Sequence, residues 1–133
     1  MQILFDTPGF TIMHDPTNWW LYVTWRGEHN EESLLACCAM VLNKIRLTKS
    51  TKIFSDSSQA LDGWGKIVRW MAQEFFHALA DNGVAAIAWV TSQYWPARMD
   101  IDEIMAYTTR PIVDTFDDAE SAYFWLRSIV VNK

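Results

Sequence analysis

From Trp19 to Arg26 the chain has the two-residue period of a β-strand. Trp19, Leu21, Val23 and Trp25 share one face, and Trp20, Tyr22, Thr24 and Arg26 share the other. The first face is the better candidate for the core. A second β-rich run, Phe10 to Asp15, precedes it across Asp15-Pro16-Thr17-Asn18, a cluster of turn-formers, so the two runs predict a β-hairpin. Ile3 to Phe5 adds a short leading strand before the Pro8-Gly9 break.

The period then changes to that of a helix. Leu34, Leu35, Cys38, Val41, Leu42 and Ile45 form one apolar stripe, with Asn30 as the N-cap and Glu31 and Glu32 in the first turn, where they oppose the positive end of the helix dipole. A unit from Lys52 to Ser92 organises the rest. It reads as a strand (Lys52 to Ser55), a polar loop (Asp56 to Gly63), a long helix (Trp64 to Asn82) and a strand apolar on both faces (Val84 to Thr91). In the helix, Trp64, Ile67, Val68, Met71, Phe75 and Leu79 make the stripe, Trp70 and Phe76 lie at its flank, and Gly83 suits the left-handed position that ends it. A loop from Ser92 to Arg98 leads to a short helix from Asp100 to Tyr107, with Asp100 and Glu103 at capping-box spacing. A last strand, Ile112 to Phe116, and a final helix opened by Asp117 and Glu120 follow.

Two strands joined through a helix are parallel, and such crossovers are right-handed. The pattern predicts a single α/β domain over residues 1–133: one mixed sheet, an N-terminal hairpin followed by βα repeats, and about four helices.

The chemistry adds less. A net charge of −5, with eleven scattered Lys and Arg, does not make a nucleic-acid surface. No stretch approaches the ~20 apolar residues of a membrane span, and Met1 to Asp6 lacks the basic start and apolar run of a signal peptide. Cys37 and Cys38 are adjacent in a predicted helix, where side chains diverge too far for a mutual disulfide, and reduced thiols suit the cytoplasm. His14, His29 and His77 are isolated, so no metal site and no cofactor are expected. Eight Trp in 133 residues is more than a core of this size needs, which leaves some for a pocket or an interface.

The order of elements, together with the strand ending in Trp25-Arg26-Gly27, the Lys52-Ile53-Phe54-Ser55-Asp56 strand end and the Gly83 to Val90 run, resembles the STAS domain, the fold of bacterial anti-sigma-factor antagonists. It looks most like small, functionally uncharacterised STAS-like proteins of bacteria. The resemblance implies a non-enzymatic, cytoplasmic protein-interaction or regulatory module. In the antagonists, a serine at the start of the second helix is phosphorylated. Asp56-Ser57-Ser58 invites that reading, but the predicted helix starts some seven residues further on, at Asp62-Gly63-Trp64-Gly65, which lacks the serine.

Three loops are expected to meet at the C-terminal edge of the sheet, carrying His29, then Asp56, Ser57, Asp62 and Trp64, then Ser92, Tyr94 and Trp95. They are candidates for a partner contact or, alternatively, for a small apolar-ligand site in which Trp64, Tyr94 and Trp95 line the pocket and Asp56 or His29 orients a polar group. Catalysis there requires His29 within hydrogen-bonding range of Asp56 or Asp62. Trp70 and Phe76 are candidates for a self-association patch, and with them the chain is expected to form a homodimer.

Overall fold

The computed structural model describes residues 1–61 and 64–131. It is an α/β fold built on a single mixed six-stranded sheet whose strands lie in sequence order. The strands β1 (Gln2–Thr7), β2 (Phe10–Asp15) and β3 (Trp20–Gly27) form an antiparallel meander. The strands β4 (Lys52–Ala60), β5 (Ala86–Val90) and β6 (Ile112–Phe116) continue from β3 in parallel. The connections are helices: α1 (Glu31–Thr48) between β3 and β4, α2 (residues 65–81) between β4 and β5, and α3 (Trp95–Tyr107) between β5 and β6. A closing helix, α4 (Ala119–Ser128), follows β6.

The sheet separates two apolar clusters. One face carries Phe10, Ile12, Leu21, Val23, Trp25, Ile53, Ile87 and Trp89 under the buried sides of α1, α2 and α3. The other carries Trp20, Phe54, Ala86, Ala88 and Val90 under Ala122 and Leu126 of α4. All five residues of β5 are buried, as its two-sided apolar pattern requires. Lys52 secures α4 from below: its Nζ donates to the carbonyls of Leu126 and Ile129, each at 2.6 Å, and lies 5.6 Å from the centre of the Trp20 ring.

Local chemistry sets the ends of these elements. The Asn30 side chain accepts from the Ser33 amide at 2.8 Å while the Ser33 hydroxyl accepts from the Asn30 amide at 3.0 Å, a reciprocal cap for α1. Asp15 accepts from the amides of Thr17 and Asn18, which folds the β2–β3 turn.

Four expectations are corrected. Trp19 is not on the core face of β3: it takes a left-handed conformation (φ 62°) just before the strand and is 45% exposed, its ring edge-on to His14. The strand β4 runs on through Asp56, Ser57 and Ser58 to Ala60, because a register shift lets it keep pairing with β3 (Thr24 with Asp56, then Arg26 with Gln59). The helix α3 starts at Trp95, with Pro96 in its first turn, where a missing N–H costs nothing. Asp100 therefore caps no helix; its carboxylate accepts from the Gly65 amide at 3.0 Å. The fourth correction is Phe76, which is buried and not at a surface flank. Helix α2 changes type along its length: a 3-10 turn (Gly65–Ile67), an α turn (Val68–Trp70), a π-helical segment (Met71–Phe75) and a final α stretch (Phe76–Asp81). The Phe76 amide bonds to the Met71 carbonyl, so the wider turn sets Phe76 over Met71 on the buried side.

Candidate functional site

The chain segments that leave β3, β4 and β5 all emerge at one edge of the sheet, where open α/β sheets bind their ligands. Ser92 joins two of these segments: its hydroxyl donates to the Ala60 carbonyl at 2.7 Å and accepts from the Tyr94 amide at 3.0 Å. Around this clamp Leu61, Tyr94, Trp95 and Met99 are exposed, Trp95 to 66%.

His29 is occupied. Its Nε2 meets the Gly9 carbonyl at 2.9 Å and its Nδ1 meets the Ser33 hydroxyl at 3.2 Å. The carbonyl only accepts, so Nε2 carries the hydrogen. The ring thus pins the β1–β2 turn to the start of α1, and it lies so close to Gly9 that a Cβ there would sit 3.3 Å from it. Asp56 is equally local, accepting from the Ser58 amide at 2.9 Å. Neither side chain contacts the other by a hydrogen bond. Asp62 lies outside the described residues.

Ser57 faces inward. It is fully buried, and its hydroxyl accepts from Trp89 Nε1 at 2.7 Å. Two positions earlier on the same strand, Ser55 accepts from Trp25 Nε1 at 3.1 Å. Between those two indoles stands Trp64, edge-on to both, 6.0 Å from the Trp25 ring and 5.7 Å from the Trp89 ring. Trp64 is only 2% exposed, yet its Nε1 has no hydrogen-bond partner among the described residues. An indole N–H left unpaired in the interior costs roughly 1–3 kcal/mol, and native structures supply such groups with a partner as a rule.

Trp64 lines a pocket of about 280 Å³ between the beginnings of α1 and α2, together with His29, Glu31, Leu34, Lys66 and Ile67. Two of the residues singled out from sequence, His29 and Trp64, therefore meet here. Tyr94 and Trp95 belong to the exposed patch, and Ser57 and Asp56 to strand β4, so the single ligand-lining set expected from sequence divides into a pocket and a surface. A deeper void beside Phe75 and Trp89 holds about 20 Å³, room for no more than a water molecule.

Ser55, Trp25 and Trp89 were not among the sequence candidates. The signal for them was the two-residue period of β4: once the strand is carried past Ser55, both serines fall on the face of Ile53, the face that also carries the Trp25 and Trp89 indoles. On the other surface considered, Trp70 is 37% exposed and stacks parallel on Phe75, whereas the burial of Phe76 leaves it no part in an interface.

The expected opening of the final helix by Asp117 and Glu120 is also corrected: Asp118 caps α4 by accepting from the Ser121 amide at 2.7 Å, and Asp117 instead pairs with Arg98 at 2.9 Å. No group of three or more His, Cys, Asp or Glu gathers among the described residues in a way that would hold a metal ion. Burial pushes the Cys37 thiol up to about 11 and Cys38 higher still, Cys38 resting 3.5 Å from the Met71 sulfur. No helix among the described residues is long and apolar enough to cross a membrane. No protein-family model matches this chain, and no curated protein matches it either.

Proposed function

We propose that this chain is a non-enzymatic protein-interaction or regulatory module of STAS-like type, acting in the cytoplasm and contacting its partner through the edge where β4 and β5 end. The observation that carries this reading is the exposure of Leu61, Tyr94, Trp95 and Met99 on two chain segments whose backbones the Ser92 hydroxyl ties together. Large apolar groups presented on a rigid frame are typical anchors of a protein interface. The occupied state of His29 and Asp56 supports binding over catalysis. Self-association belongs to the same proposal, with Trp70 on the outer side of α2 as its contact.

Affinity capture from the host with the native chain and with Trp95→Ala, alongside light scattering, tests the proposal. The native chain is expected to retain a partner or a second copy of itself, and Trp95→Ala to lose the partner while keeping its far-ultraviolet spectrum. A monomer that captures nothing, or a Trp95→Ala chain that captures the same partner equally well, would refute it.

Small-ligand binding is a second reading, supported by a different observation: the pocket of about 280 Å³ that His29 and Trp64 line together.

A further inference from the structure

We infer that the outward face of α3 docks a basic amphipathic helix of another protein, whose apolar residues pack on Trp95 and Met99 and whose Lys or Arg side chains meet Asp102 and Glu103. This rests on the protein-interaction reading and gives the partner a chemistry.

Trp95 and Met99 are one helical turn apart, so they stand one above the other on α3. The opposite side of the helix, with Ala97, Ile101 and Ile104, is buried, which turns the pair outward: Trp95 is 66% exposed and Met99 55%. A Trp beside an adaptable Met is the composition of an interface anchor. The same outward row continues through Asp102, Glu103 and Ala106, all exposed.

The charges around that row set the chemistry of the partner. Arg98, one turn before Asp102, is held by Asp117 at 2.9 Å. Arg69 of α2 lies over the Tyr107 ring, 4.8 Å from its centre, and donates to the Tyr107 hydroxyl. Arg110, just beyond the helix, pairs with Asp81 at 2.6 Å. These three arginines are engaged within the fold, whereas Asp102 and Glu103 form no ion pair among the described residues. The row therefore offers an apolar anchor followed, within about two turns, by uncompensated negative charge. Its complement is a helix with apolar residues one turn apart and cations beyond them. The net charge of −5 adds long-range attraction for such a partner. The same carboxylates oppose an anionic lipid surface, the other medium that an exposed Trp and Met suit.

The test follows the amide and indole N–H cross-peaks of the full chain, labelled with ¹⁵N, during separate titrations. The probes are a synthetic amphipathic helix of Leu and Lys, the same peptide with Glu for Lys, and phosphatidylglycerol vesicles. The Leu–Lys peptide is expected to move the Trp95 indole peak and the α3 amides saturably, and the other two probes to leave them in place. Trp95→Ala should abolish that binding, and Asp102→Asn with Glu103→Gln should weaken it several-fold. All three changes are at exposed side chains, and unmoved amide peaks outside α3 show that each variant is folded. If the Leu–Glu peptide binds α3 equally well, or the double variant binds Leu–Lys as tightly as the native chain, the basic character of the partner is refuted and the protein-interaction reading stands. If the vesicles alone move the α3 peaks, the occupant is a lipid surface and both are refuted. If no probe reaches α3, or the Leu–Lys peptide settles on another face, the docking site is refuted, and capture with Trp95→Ala decides the protein-interaction reading separately.

Discussion

Ser57 offers the sharpest test of the fold around the candidate site. Its hydroxyl is fully buried and accepts the Trp89 Nε1 hydrogen at 2.7 Å. Removing the hydroxyl in Ser57→Ala strips that indole of its partner without opening space for water, so the loss should approach the cost of an unsatisfied buried donor, roughly 1–3 kcal/mol. Replacing Trp89 with Phe removes the donor as well. The double variant Ser57→Ala, Trp89→Phe should therefore be more stable than the sum of the single changes predicts, by about 1 kcal/mol. Ser57→Asp places a charge where an apolar cluster surrounds it, at an effective penalty of several kcal/mol. Against a typical total stability of about 5–15 kcal/mol, that variant should be largely unfolded or strongly destabilised. Urea unfolding followed by far-ultraviolet circular dichroism measures the native chain and all four variants without relying on tryptophan emission. A Ser57→Ala midpoint equal to the native one, or a Ser57→Asp chain that folds normally, would show that Ser57 does not point inward. The same result bears on phosphorylation: in this structure a phosphate on Ser57 meets the interior, not a partner.

Two further predictions concern titratable groups. Burial holds the Cys37 thiol at about 11 against an ordinary 9.0, so its alkylation by iodoacetamide should still be climbing about tenfold per pH unit near pH 10, where an exposed thiol has levelled off; Cys38 should react only on unfolding, and an early plateau for Cys37 would contradict its burial. Desolvation lowers the folded-state pKa of Lys52 below its ordinary 10.5, so the folded chain releases that proton before the unfolded chain does, and this group's contribution to stability should rise as pH climbs toward 10.5. The difference in unfolding midpoint between the native chain and Lys52→Met isolates that contribution. In the same variant, faster amide exchange at the end of α4 is expected, since Nζ no longer holds the Leu126 and Ile129 carbonyls; unchanged exchange there would count against the anchoring role.

The hairpin, the parallel crossovers and the fully buried β5 were legible in the sequence because each rests on local periodicity or turn chemistry. The Asn30 cap and the left-handed Gly83 were legible for the same reason. Where side chains reach across the fold, local signals mislead. Asp56-Ser57-Ser58 has the composition of a loop, but distant Trp89 and Trp25 pair with the serines of β4 and make a strand of it. Asp100 and Glu103 have the spacing of a helix cap, but Pro96 lets the helix begin earlier and Asp100 is drawn to Gly65. The candidate site shows the same division. His29 and Trp64 were found from their positions at strand and helix ends. That Trp64 stands between the Trp25 and Trp89 indoles and finds no acceptor among the described residues depends on how the elements pack, and no spacing along the chain records that.

The π-helical segment of α2 has a bearing on how this chain tolerates change. Five residues, Met71 to Phe75, span a turn in which the bond reaches from Phe76 back to Met71, one residue further than an α-helix allows. The helix on either side is therefore out of phase by one position. The extra residue of the wide turn is absorbed within it, so shortening the chain by a single residue in this segment would restore regular winding and leave Trp64 on nearly the same face relative to Phe76 and Leu79. A one-residue deletion, ordinarily ruinous inside a helix, would here relieve an irregular turn and keep the row of indoles. Chains of common descent that lack the wide turn are thus expected to be one residue shorter there and to keep an inward tryptophan at the position of Trp64.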